Sequence, residues 1–281
     1  VMRPLFKTPG RSAVDTVASL VGSYSVGLLI TDRTYKEGIY NKKEGLIIAT
    51  GFSTVAVTLM VVVARTLDLM DHWVLFFVIT LAVTFLVTAL TAYLPPIRHE
   101  KESYFNDKNN NIEEEYEGSL LEYAWYKAKQ QSHTSRPLLQ DIWTNFIEAM
   151  KMTASVVPSV LSIGLIGLIV AEYTDIITWF SYIYYPLLYL FPLENVPLLA
   201  EAVTISIVEM FLPALLVAEA DITTRFIAGV CSISAIVFLS GLVPAVLSTS
   251  LNIKVWKLIA VWFIRTVLSL IIVIPIALII F

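Results

Sequence analysis

The chain has 281 residues, 57% of them hydrophobic, a mean hydropathy of +0.75 and a formal net charge of −4 at pH 7. Several windows of about 20 residues, the length that crosses a bilayer, carry almost no charge, which excludes a water-soluble domain and makes the lipid bilayer the expected partner. Most charged residues lie in one central segment and the rest in connectors, so the net charge does not point to nucleic acid.

Residues 12–30 read SAVDTVASLVGSYSVGLLI; Gly22, Ser23, Tyr24, Ser25 and Gly27 weaken a continuous lipid-facing helix there and predict a stretch that enters the membrane and returns. A basic connector follows, then apolar runs over 45–65 and 73–94 that read as full spans. Segment 45–65 carries Thr50, Gly51, Ser53 and Thr54. Residues 97–136 are polar, with Glu113, Glu114, Glu115 and Glu117, and read as a solvated cytoplasmic linker. Helices are predicted over 119–130 and 138–150; the second places Leu138, Leu139, Ile142, Phe146 and Met150 on one face, against the membrane or the bundle. Residues 152–171 form the next span. Residues 174–192, with Trp179, Phe180, Tyr182, Tyr184, Tyr185 and Tyr189, suit an aromatic interfacial segment.

Residues 200–217, AEAVTISIVEMFLPALLV, are a second interrupted stretch, with Glu209 at its centre and Pro213 removing a backbone donor. Spans over 226–248 and 255–281 complete the chain, and the first of these carries Ser232, Ser234, Ser240 and Gly241 at depths comparable to the small residues of 45–65. Two readings of these small polar residues compete. They permit close helix packing with hydroxyls bonded back to the backbone, or they face a solute.

An interrupted stretch, a charged connector and two apolar runs therefore occur twice, over 12–94 and 200–281. Lysine and arginine are enriched in short cytoplasmic connectors. If both interrupted stretches re-enter, every Lys and Arg outside the apolar runs except Arg65 and Arg225 falls on one face. If both cross fully, Arg3, Lys7, Arg11, Lys254 and Lys257 move to the face of Arg65, and the asymmetry weakens. The expected fold is thus an all-α polytopic membrane protein with two inverted-topology repeats, each a re-entrant or broken helical hairpin plus two transmembrane helices. The expected units are a first repeat (1–96), a charged cytoplasmic linker (97–150), a connecting helix with the aromatic segment (151–199) and a second repeat (200–281). The start at Val1 without a signal sequence, and the apolar ending at Phe281, suit a piece of a longer protein.

Ionisable groups at membrane depth cost several kcal/mol unless paired or hydrated, so Glu209 and Arg265 are candidate functional positions. They are expected either to neutralise each other or to serve a solute or coupling ion, H+ or Na+. Asp15 and Glu201 lie nearer segment ends and are expected to be interfacial caps. Cys231 lies in an apolar run, and His72, His99 and His133 have no partner at helical spacing, so neither metal nor cofactor is expected. No nucleophile, base and orienting group recur together, so no enzyme is expected.

The run MRPLFKTPGRSAVDTVASLVGSYSVGLLITDRTYKEGIYNKKEGLIIATGFSTV, Met2 to Val55, resembles the YjiH-like branch of the nucleoside-recognition (Gate) domain membrane proteins, and also sporulation integral membrane proteins. PLLAEAVTISIVEMFLPALLVA and SGLVPAVLSTS are similar to a second Gate copy. The resemblance implies a multi-pass protein of a bacterial-type inner membrane, related in design to concentrative nucleoside transporters. The expected function is secondary transport of a small polar, nucleoside-like solute; the alternative is a non-transporting interaction or maturation factor. The candidate solute-facing residues are Gly22, Ser23, Tyr24, Ser25, Gly27, Ser53, Thr54, Glu209, Pro213, Ser232 and Ser234. The Gly and Ser faces also suit a homodimer.

Overall fold

The computed structural model describes residues 2–107, 109–110, 125, 129 and 138–281, and these are all-helical with no strands. The helix expected over 119–130 and the acidic run lie almost wholly outside the described residues.

The first half comprises α1 (Met2–Phe6), α2 (Ser12–Val21), α3 (Tyr24–Lys36), α4 (Lys42–Gly51), α5 (Val57–Thr66) and α6 (Trp73–Thr91). Helices α2 and α3 fold back on each other about the interruption at Gly22–Ser23. Asp15 accepts a bond from Thr31 Oγ1 at 2.7 Å, and a Cβ added to Gly27 would collide with Ser19 Oγ, so the two arms run antiparallel in close contact. The start of α4 is fixed by a capping box. Asn41 Oδ1 accepts from the Glu44 amide at 2.9 Å, and Glu44 Oε2 accepts from the Asn41 amide at 2.8 Å.

The long helix α7 (Leu138–Tyr173) has 36 residues with Pro158 inside. It joins the expected amphipathic helix and the expected span into one rod, a proline being tolerable within apolar sequence that keeps helical periodicity on both sides. The aromatic segment is the short pair α8 (Ile176–Ser181) and α9 (Tyr185–Leu188), not a span. Trp179, Phe180, Tyr182 and Tyr189 are exposed, while Tyr184 is buried beside Phe263.

The second half repeats the order of the first: α10 (Val196–Ile205), α11 (Leu212–Leu216), α12 (Ile222–Ala235), α13 (Leu242–Leu247) and α14 (Val255–Ile280). Helices α10 and α11 are the arms of a second hairpin with its tip at 206–211. Pro213 lies in the first turn of α11, where a missing backbone donor costs nothing, so it starts an arm rather than breaking one.

Two expected spans are not continuous. Segment 45–65 is divided at 52–56 between α4 and α5, and segment 226–248 is divided at 236–241 between α12 and α13. Apolar composition hid both breaks, because the groups that satisfy the freed backbone lie far away in sequence. The amides of Leu239 and Ser240 donate to the carbonyls of Ile207 and Val208, at 2.6 and 3.0 Å, so the tip of the second hairpin pairs with the second break. Ile236 opens that break at φ 60°, a left-handed conformation that a β-branched residue adopts only under strain.

The contacts sort the connectors into two ends. At one, the Tyr93 hydroxyl donates to Pro4 O at 2.7 Å, Lys42 Nζ to Asn252 O at 3.0 Å, and the Ser250 amide to Asp32 Oδ1 at 2.7 Å; Lys257 pairs with Glu100. At the other, Arg225 Nη1 donates to Leu67 O at 2.7 Å, Asn195 Nδ2 to Asp221 Oδ1 at 2.8 Å, and Phe281 packs on His72 and Phe226. The first hairpin thus starts and finishes at the Lys42 end, and the second at the Leu67 end. Between them α6, α12 and α14 pack around Phe76, Phe226 and Val230, all buried. Among the described residues two helices are long and apolar enough to cross a membrane: Met70–Thr91, in which a 3-10 turn leads into α6, and Val255–Ile280, with mean hydropathies of 2.5 and 2.7.

Candidate functional site at the hairpin tips

The tip of the second hairpin carries Glu209, half-buried, whose Oε2 accepts the Ser240 hydroxyl of the second break. Backbone pairing of 207–208 with 239–240 fixes both residues, so the carboxylate and hydroxyl are placed by main chain rather than by rotamer choice. The tip of the first hairpin reaches the same place. Tyr24, the first residue of α3, stands edge-on to Phe238 with ring centroids 5.6 Å apart, and lies close enough to Glu209 to feel its charge. Gly241 makes this approach possible, since a Cβ there would strike the Phe238 ring and sit 2.7 Å from the Tyr24 hydroxyl. Nearby, Trp262 Nε1 donates to Ser206 Oγ at 3.1 Å and holds the base of the tip.

Arg265 is fully buried elsewhere. Its Nε and Nη2 donate to Ser234 O at 3.0 and 2.7 Å, and Nη1 donates to Thr88 Oγ1 at 3.0 Å. The single Thr88 hydroxyl proton is shared between Thr84 O of its own helix at 2.7 Å and Gly51 O at 3.1 Å. Ser234 and Gly51 end α12 and α4, so the guanidinium touches one carbonyl terminus directly and the other through a hydroxyl. Each such terminus carries roughly half a negative charge. Two together balance the cation, and no carboxylate lies within ion-pair distance of Arg265 among the described residues. The expected Glu209–Arg265 pair is therefore not formed: the broken helices supply the counter-charge that a continuous helix could not.

The remaining candidates divide. Tyr24 and Glu209 meet, with Gly22, Ser23 and Ser25 around the first tip. Gly27 and Pro213 serve the hairpins' own geometry. Ser232 donates to Gly229 O at 2.9 Å within its helix, and Ser234 Oγ shares a 2.7 Å bond with Ser269 Oγ; both are packing. Ser53 and Thr54 lie in the first break, where Ser53 Oγ donates to Ile48 O at 3.4 Å and Thr54 Oγ1 is buried without a partner. Asp15 is not an interfacial cap. It is buried and accepts from Thr31 and from Tyr40, at 2.7 and 2.8 Å, which ties the first hairpin shut. Glu201 lies inside α10, half-exposed. Phe238, Ser240 and Gly241 complete the site; a serine–glycine pair inside an apolar run was their only trace in the sequence. Among the described residues no group of three or more His, Cys, Asp or Glu is placed to hold a metal.

An uncharacterized protein of Alkalihalophilus pseudofirmus is 32% identical to this chain over 275 residues, which cover 96% of this chain and 59% of the relative. The chain thus spans about three-fifths of the relative's length. No family model and no solved structure matches it.

Proposed function

We propose that the chain is the two-repeat core of a secondary membrane transporter for a small polar solute. On this reading α4–α5, α6, the 152–171 part of α7, α12–α13 and α14 cross the bilayer. The hairpins re-enter from opposite surfaces as inverted-topology repeats, and the lysine-rich end is cytoplasmic. The observation that carries the reading is the convergence of both hairpin tips on a helix break, with a half-buried carboxylate between them. Non-helical backbone at membrane depth is tolerated where it is buried in protein or lines a cavity, and polar groups there mark solute or ion paths.

Two experiments test it. Proteoliposomes are assayed for uptake of labelled nucleosides, amino acids and amines; flux that disappears in Glu209→Gln is expected, and no flux for any of them removes the proposal. Single cysteines in a Cys231→Ser background report topology. Glu37 and Asn252 positions should label from one side and Asp68 and Glu219 positions from the other; a different pairing breaks the inverted arrangement.

A further inference from the structure

We propose that the site at the hairpin tips takes a small organic ammonium group, an inference that rests on the transport reading and names its solute class. Glu209 is a carboxylate with no cation in ion-pair distance among the described residues. One oxygen holds the Ser240 hydroxyl, and the other accepts no bond among the described residues. Arg265, the buried cation of the apolar helices, directs its four bonds at Ser234 O, Thr88 and Thr84 O and none at Glu209. A carboxylate at this depth calls for a positive partner, and none of the described residues supplies one.

The walls select which cation. Tyr24 and Phe238 bring two aromatic rings to the same tip, and ring faces attract alkylammonium groups. The amides of Leu239 and Ser240 are used by Ile207 O and Val208 O, and the Glu209 carboxylate would repel an anion beside it. A hard divalent cation calls for several charged oxygens, and no group of three or more His, Cys, Asp or Glu is placed to hold one among the described residues. A carboxylate, two hydroxyls and aromatic rings match an ammonium group with an apolar body.

The test is equilibrium binding to the detergent-purified chain, read by calorimetry, with methylammonium, tetramethylammonium, sodium chloride and uridine at equal ionic strength. Saturable binding of the ammonium ions is expected, at least tenfold weaker in Glu209→Gln and partly kept in Glu209→Asp. Phe238→Leu should weaken tetramethylammonium more than methylammonium, which a purely ionic contact would not do. Tyr24→Phe, which keeps the ring, should bind tetramethylammonium like the parent. Equal binding by Glu209→Gln, saturation by sodium alone, or binding of uridine but not ammonium would each overturn the inference. Failure here and failure of the transport reading are distinguishable. Uridine flux that survives Glu209→Gln removes the ammonium site and leaves transport standing, whereas ammonium binding without any flux does the reverse.

Discussion

The counter-charge of Arg265 can be tested with one pair of substitutions. Arg265→Met keeps most of the side-chain volume and removes the guanidinium, and with it two bonds to Ser234 O, one to Thr88 Oγ1 and a longer one to Thr84 O. Hydrogen bonds to a charged group are worth about 1.5–3 kcal/mol each, but methionine also avoids the several kcal/mol that desolvating a cation costs. Two carbonyl helix ends, at Ser234 and by way of Thr88 at Gly51, are left without positive charge, at about 0.3–2 kcal/mol each. The balance is a loss of about 2–4 kcal/mol, read as the shift in a reversible SDS titration of the protein in mixed micelles followed by tryptophan fluorescence. Arg265→Lys, which keeps the charge but not the fork, should lose less.

The decisive arm is Arg265→Met combined with Glu209→Gln. The two side chains share no partner, so the losses should add within about 0.5 kcal/mol. A coupling above about 1 kcal/mol would mean that the pair exists, and the account of the broken helices as the counter-charge would be wrong.

Other consequences follow from single contacts. Asp15→Asn replaces a charged acceptor of two buried hydroxyls and should cost about 1.5–3 kcal/mol, with faster hydrogen exchange confined to 12–36; no change there would mean that Asp15 does not tie the hairpin. Gly27→Ala should lose about 1–3 kcal/mol through its clash with Ser19 Oγ, and adding Ser19→Ala should recover most of it, since that hydroxyl is buried without a partner. Burial raises the Asp221 carboxyl, but bonds from the Thr224 hydroxyl and amide and from Asn195 outweigh it and hold it below the usual aspartate range. A depressed folded value means that its contribution is present above the unfolded value and is lost as pH falls through the folded one. Deuterium uptake over 195–225 should therefore rise as pH drops below about 4, and Asp221→Asn should flatten that dependence.

The hairpins were legible because glycine and proline interrupt apolar sequence only where the backbone turns or an arm begins: Gly22 marks a tip and Pro213 opens an arm. The breaks at 52–56 and 236–241 were not legible. In the second, the amides of Leu239 and Ser240 are answered by main chain far away in sequence, at Ile207 and Val208, and such pairing has no composition. The Glu209–Arg265 pairing failed for the same reason. Matching opposite charges along a sequence assumes that only side chains carry charge, whereas each broken helix presents a partial charge that no residue type records.

Arg265 and Glu209 accordingly play opposite parts. Arg265 has every partner it needs from the protein, is closed off, and holds the α4 and α12 termini together across α6. Glu209 has one bond, remains half-buried, and is held by main chain at the point where the two halves meet. A group whose partners are complete stabilises one arrangement; a group with an unfilled partner makes that arrangement depend on what arrives. Loss of Arg265 should therefore lower stability whether or not solute is present. Loss of Glu209 should leave solute-free stability nearly unchanged and abolish the stabilisation that a saturating ligand brings, about 2.7 kcal/mol at a hundred times its Kd. Equal losses for both variants without ligand would refute that division.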